Sequence, residues 1–415
     1  MRIRESFTKT ALGQFLRYLG PGFIVTVGFI DPGNWATNIA GGSRFEYQLL
    51  WVISLSTLML ILLQNMSARL GIVTGRSLAA NVRTHFPRWV SNLLGATIIL
   101  ACAATDLAEY LGAALGFYLL FRIPPALGAP LTVALVIVAI LGQRYKRLER
   151  MIIGFLAVIA GCYVIELALV RPEWGRLLPH VVLPSISSQS ILVAMGMLGA
   201  VVMPHNIYLH SNVIQSRDWE GPPGKKKRLL RLEFLDTVTA MGLGWVVNSA
   251  MIIVAAAVFF RHGVGVTSIE QASETLRPLA GNLAQLFFGL ALLFAGVGSS
   301  ITSSMSEANV ITGYLGRPED PKAWVYRIGL VATSIPAMII IAAGVDSYKA
   351  LILSQVALSV QLPFTVIPLL LLVGSRKVMG EFASGWLEKA LGWAVVVVVL
   401  ALNGLLLYQT LGGKF

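Results

Sequence analysis

Charge is scarce in this 415-residue sequence. Only 13% of the residues are Asp, Glu, Lys or Arg, 56% are hydrophobic, and the mean hydropathy is +0.75. A soluble chain of this length needs far more charge to cover its surface, so a soluble globular protein is excluded. Cysteine is nearly absent as well. Cys102 and Cys162 both lie in apolar runs and no CxxC occurs, which excludes a disulfide framework and a thiolate metal cluster and leaves two small packing residues. No HExxH and no Ser/His/Asp pattern falls on adjacent helices, so an intramembrane hydrolase is not expected; we expect no enzyme and no resident cofactor. The period-two alternation of a membrane β-barrel is missing. The first 18 residues are basic, but the apolar run behind them contains Asp31, Pro32 and Asn34 and lacks a small-residue cleavage site, so no cleaved signal peptide is expected.

What fills the chain is a succession of apolar stretches of about 20 residues, the length that crosses a bilayer as a helix. They fall near 19–43, 47–70, 90–120, 125–143, 151–170, 190–212, 234–260, 281–312, 325–344, 349–374 and 388–412. The fold class expected is therefore an all-α polytopic membrane protein of eleven transmembrane helices. With the N-terminus inside, 24 of the 32 Lys and Arg residues fall on the cytoplasmic side and 8 on the other. This threefold bias sets the orientation, with residues 1–18 a cytoplasmic segment and the C-terminus outside. It also accounts for the net charge of +12 without nucleic acid, and the Lys225-Lys226-Lys227-Arg228 run reads as a cytoplasmic anchor against the lipid surface.

Two spans are interrupted. The first carries Gly28-Phe29-Ile30-Asp31-Pro32-Gly33-Asn34 and the sixth Ala200-Val201-Val202-Met203-Pro204-His205-Asn206, so both read small-x-x-ligand-Pro-x-Asn. The second lies five spans after the first, and an odd number of spans per repeat inverts the second copy relative to the first. This is the pattern of an inverted-repeat carrier with its site near the midplane, helices 1–5 (19–170) forming one repeat and 6–10 (190–374) the other, with residues 388–412 added as an eleventh helix. Each proline removes the hydrogen bond to the carbonyl four residues earlier, which frees the backbone oxygens of Gly28 and Ala200. Beside them stand the carboxylate of Asp31, the amide of Asn34 and the thioether of Met203. Oxygens alone suit Mg²⁺ or Ca²⁺; the sulfur favours softer Mn²⁺, Fe²⁺, Co²⁺, Zn²⁺ or Cd²⁺. Pro32, Gly33 and Pro204 are the expected hinges.

With these motifs the sequence resembles the Nramp (natural resistance-associated macrophage protein) family of divalent-metal transporters. The resemblance rests on Asp31–Asn34, on Met203-Pro204-His205-Asn206-Ile207-Tyr208-Leu209-His210-Ser211, and on Leu70-Gly71-Ile72-Val73-Thr74-Gly75, Thr105-Asp106-Leu107-Ala108-Glu109 and Ile352-Leu353-Ser354-Gln355-Val356. It implies the fold of the amino-acid–polyamine–cation superfamily (LeuT-like), with helices 1 and 6 broken, and proton-coupled uptake of Mn²⁺ or Fe²⁺ in a cell membrane. It also implies metal binding at the positions of Asp31, Asn34 and Met203, with Gln355 approaching the ion.

A carboxylate at the centre of a membrane helix costs about 2.5–3.5 kcal/mol on insertion scales. Asp106 and Glu109 lie three apart on one helix face, so they need a partner. Arg327 is the best candidate, and the resemblance places these three in a proton-exit network with Asp31 upstream. His205 is expected to serve either as a proton relay or as a structural neighbour of the ion, and His210 to line the inner vestibule. Asp236 and Asn248 read as structural hydrogen-bonding groups, while Glu166 and Glu307 have no assignable partner. Two departures from the family stand out: Ile99 occupies a position that often carries glutamate, and Gly298–Glu307 is unusually rich in serine. The rival readings are a hard-ion carrier of the same fold, a sodium-coupled amino-acid carrier and a metal channel.

Overall fold

The computed structural model describes residues 18–412 other than 144, 171 and 220–222; the expected cytoplasmic segment 1–18 lies outside the described residues save for Tyr18. Every regular element among them is a helix. The first apolar segment is divided into α1 (Pro21–Phe29) and α2 (Pro32–Phe45), followed by α3 (Leu50–Thr74), α4 (Leu78–His85), α5 (Arg88–Phe121), α6 (Pro125–Gly142) and α7 (Tyr145–Val170). The second half begins with the divided pair α8 (Ile191–Val201) and α9 (Pro204–Val213). It continues with α10 (Pro223–Val258), α11 (Ile269–Ala280), α12 (Asn282–Tyr314), α13 (Trp324–Ala332), α14 (Ser334–Ala342), α15 (Ser347–Gly374) and α16 (Trp386–Thr410). Among the described residues ten segments are long and apolar enough to cross a membrane, and the divided α1–α2 pair occupies the place of the first expected span.

The two breaks follow the same backbone path. Ile30 (φ −93°, ψ 46°) and Val202 (φ −97°, ψ 66°) close the first half-helices, donating to the carbonyls of Val27 and Leu198. Asp31 (ψ 165°) and Met203 (ψ 123°) are then extended, and a proline opens each second half-helix at its first position, where the missing N–H is not needed. Among the described residues no hydrogen bond outside the regular helices ends on the oxygen of Gly28 or Ala200. The ends differ in their caps. Asp31 accepts from the backbone N–H groups of Asn34 (2.8 Å) and Gly33 (3.2 Å), whereas Met203 provides no side-chain cap.

Burial is graded from the centre outward. The α8–α9 segment is 94% buried over its most apolar window, whereas α16 is 22% buried and α6 28%. Leu127 and Val138 on α6, and Val397, Leu400 and Leu407 on α16, are exposed, while Asp31, Asp106, Glu109, His205, Gln355 and Glu307 are fully buried. A surface of aliphatic side chains around a polar interior is the inverse of a water-soluble protein, and suits a bundle solvated by lipid. The core is built on α5 packed along α12, with α8 against α15 and α10 against α2, so the broken helices are held between longer unbroken ones.

A third interruption was not anticipated. The ninth span bends at Thr333 into α13 and α14. Pro336 explains it, because its ring removes the bond to the Ala332 carbonyl.

Candidate metal and proton sites at the helix breaks

At the first break the Asp31 carboxylate faces α15. Its Oδ2 accepts from Gln355 Nε2 at 3.1 Å while Oδ1 caps α2. Gln355 Oε1 is left with no donor, an unpartnered carbonyl-type oxygen beside a carboxylate in a fully buried setting. Gly33 lets Gln355 lie against the break: a Cβ there would stand 2.6 Å from Gln355 Cδ, so a larger residue would displace that amide. Gly28 plays the same part for the second break, since its Cβ would stand 2.7 Å from Asn206 Nδ2. Asn206 Nδ2 in turn lies 3.6 Å from Met203 Sδ, and Asn206 Oδ1 has no donor. Asp31, Gly33 and Gln355 thus form one buried group and Gly28, Asn206 and Met203 another, joined by the Gly28–Asp31 stretch of the broken first helix.

Asn34 is next to the first of these groups but engaged elsewhere. Its Nδ2 donates to Phe29 O (2.6 Å) and Asn248 Oδ1 (2.7 Å), and its Oδ1 accepts from Asn38 Nδ2 (3.0 Å). An amide oxygen has a second lone pair, so this oxygen can still accept a cation. No group of three or more His, Cys, Asp or Glu side chains suited to a metal is found among the described residues. One carboxylate, amides, freed carbonyls and a thioether would offer a divalent ion a mixed set of oxygen and sulfur donors.

The expected partnership of Arg327 with Asp106 and Glu109 does not occur. Arg327 is exposed near the start of α13, where its Nε donates to the Pro321 carbonyl at 3.2 Å. A guanidinium at a helix end reaches water readily, and nothing draws it into the bundle. In its place is Glu307, which has no assignable partner in the sequence. Its carboxyl faces that of Asp106, and its Oε2 accepts from Thr333 Oγ1 at 2.7 Å, at the bend between α13 and α14. Glu109 Oε2 accepts from Ser303 Oγ. The serines of α12 now have a purpose: Ser303 serves Glu109, Ser304 meets Tyr110 OH (3.1 Å), and Ser306 donates to the His205 carbonyl (2.6 Å).

His205 Nδ1 is 3.3 Å from Thr105 Oγ1, one residue before Asp106, and its Nε2 has no partner, which puts the imidazole, two residues after Met203, against α5. His210 is buried rather than lining an open vestibule, 2.9 Å from Glu233 Oε1 and 3.0 Å from Gln64 Oε1. Asp236 caps α1 by accepting from Gly20 N (3.1 Å) and Gly22 N (2.8 Å), the structural role expected of it, and Asn248 holds Asn34. Glu166 is buried with both oxygens unpartnered.

Glu319, in the loop 315–323, receives hydrogen bonds from Ser77 Oγ (2.5 Å) and Asn212 Nδ2, tying the end of α9 to the start of α4. Burial pushes its carboxyl above the ordinary range, with the two donors opposing. Thr333, Glu307 and Asn206 are the members of these sites that sequence reasoning missed. Pro336 signals the first; the other two are defined by helix packing.

The model of the natural resistance-associated macrophage protein-like family matches residues 22–409. A relative from Caldanaerobacter subterraneus subsp. tengcongensis, named divalent metal cation transporter MntH, is 45% identical over 416 residues, covering 100% of this chain and 98% of its own. Crystal structures of a manganese transporter from Eremococcus coleocola superpose with a TM-score of 0.83 at 31% identity, over 95% of this chain and 87% of that one. At 16% identity, Mhp1, a nucleobase-cation-symport-1 family transporter in a closed conformation, shares the fold with a TM-score of 0.62 over 85% of this chain and 77% of its own.

Proposed function

The chain belongs to the Nramp family, and we propose that it is a multi-pass membrane carrier that imports divalent transition-metal ions, Mn²⁺ and Fe²⁺ among them, together with protons by alternating access. One observation carries the reading: a single buried carboxylate, Asp31, stands at a helix break beside the unpartnered Gln355 oxygen and is joined by the Gly28–Asp31 stretch to the group that holds the Met203 thioether. The ion exchanges its waters for Asp31, Asn34, Met203 and the carbonyls of Gly28 and Ala200, and Gln355 turns its free oxygen toward it. A sodium-coupled amino-acid carrier would present backbone donors to a substrate carboxylate at this break; Asp31 occupies those donors and would repel such a substrate.

A dication at Asp31 favours the ionised carboxylate, so metal loading releases any proton held there. The acceptors are the α5 carboxylates Asp106 and Glu109, with His205 and its Thr105 contact alongside. Alternating access follows from hinging at Pro32–Gly33 and Pro204, with the N-terminus and the bulk of the basic residues on the cytoplasmic side. The test is uptake of Mn²⁺ and Ca²⁺ into proteoliposomes with internal pH recorded. Mn²⁺ entry that acidifies the lumen and exceeds Ca²⁺ entry is expected. Absence of metal-dependent flux would reject the carrier, uphill proton movement absent from Mn²⁺ entry would point to a channel, and equal Ca²⁺ entry would favour the hard-ion carrier.

A further inference from the structure

Three fully buried carboxyl groups, Asp106, Glu109 and Glu307, gather where α5, α12 and the α13–α14 bend meet. Glu109 has a serine donor and Glu307 has Thr333. Neither oxygen of Asp106 nor Glu307 Oε1 has a donor within hydrogen-bond distance; the two carboxyl groups face each other, with the Thr333 hydroxyl as the neutral group nearest to both. No lysine or arginine among the described residues pairs with either, and Arg327 is turned to the surface. The other groups that face them are Cys102, Glu109 and Tyr110 on α5, with His205 of α9 approaching through Thr105. Two carboxylates in contact, away from water and without a cation, cannot both be ionised; an O–H between them satisfies both.

We propose that Glu307 is a proton-carrying residue of this transporter, holding one proton jointly with Asp106, and that this acid pair is the station through which the co-transported proton passes. The proposal rests on the proton-coupled reading above. With one proton the pair carries a single negative charge. A proton leaving the metal site adds to the ionised member, with Glu109 within electrostatic range of both Asp31 and Asp106, and the pair becomes a neutral diacid. Loss of one proton toward the cytoplasm restores the starting state, so one proton enters, one leaves and no other bond changes. The pair is assembled by the bend at Thr333, so a change in that bend alters the hydrogen bond to Glu307 and with it the readiness of the pair to release its proton.

The decisive experiment measures Mn²⁺ and proton fluxes together in proteoliposomes holding the full chain, for wild type, Glu307→Gln and Glu307→Asp. The amide keeps the shape and the Thr333 contact but carries no transferable proton. The expected result is a fall of roughly tenfold in protons moved per Mn²⁺ in Glu307→Gln, with a flattened pH profile of uptake, and recovery in Glu307→Asp. An unchanged proton ratio and pH profile in a folded Glu307→Gln would overturn the proposal while leaving proton coupling intact. Wild type that moves Mn²⁺ without protons would overturn both. Should Glu307→Gln not fold, infrared spectra of wild type at neutral pH decide the matter. A protonated carboxyl band sensitive to ¹³C labelling of both glutamate and aspartate is required, and its absence would refute the shared proton.

Discussion

Asp31 has two jobs that a single substitution can separate. As the cap of α2 it accepts from Asn34 N at 2.8 Å and Gly33 N at 3.2 Å, and it also accepts from Gln355 Nε2 at 3.1 Å. Asparagine caps helices as well as aspartate does, so Asp31→Asn retains the shorter capping bond, and the Gln355 amide can rotate to offer its unpartnered Oε1 to the new NH₂ group. The cost in stability should stay within about 1 kcal/mol, whereas Asp31→Ala loses the cap outright and about 0.5–2 kcal/mol with it. Transport should respond in a different order. Removing even an outer partner of a metal ligand costs about 10–100-fold in affinity. Loss of the one carboxylate in the cluster should therefore weaken Mn²⁺ binding by at least about 100-fold, or about 2.8 kcal/mol. Calorimetric titration with Mn²⁺ and thermal melting of the detergent-purified protein measure the two effects separately. Asp31→Asn that binds Mn²⁺ within a factor of three of wild type, or that melts as low as Asp31→Ala, would refute the division.

Met203→Leu conserves volume and should cost less than about 1.5 kcal/mol of stability, yet competition uptake should show the preference for Mn²⁺ over Ca²⁺ collapsing because the sulfur is gone. Arg327→Gln should leave the proton-to-metal ratio of the proteoliposome assay unchanged, since its guanidinium meets only the Pro321 carbonyl. Glu319 supplies a pH effect. Its folded value lies above the unfolded one, so its contribution to stability is complete below the ordinary glutamate range, about pH 4, and is lost as pH rises through the raised value. Melting temperature of wild type should therefore decline over that interval more than that of Glu319→Gln, and parallel curves would remove Glu319 as the cause.

The membrane class, the eleven spans and the two breaks were legible in the sequence because each depends on local chemistry. Twenty apolar residues in a row have few alternatives in a bilayer, and a proline acts on a carbonyl at a fixed offset. The similar dihedral angles at Ile30 and Val202 follow from that offset applied twice. The carboxylate partners were not legible in the same way. Asp106 and Glu109 required compensation, and the search for an opposite charge nominated Arg327 at the start of the ninth span, but side-chain pairing across a bundle depends on which faces meet. Arg327 sits where its side chain can reach water, whereas Glu307, some twenty residues earlier, projects onto Asp106 because α12 packs along α5. A rule that pairs opposite charges therefore fails in this interior for a physical reason. Where no water is available, a proton held between two carboxyl groups neutralises half the charge of the pair and satisfies both groups at once. A carrier that has to move protons gains from that choice, because a shared proton can be passed on while an arginine's cannot.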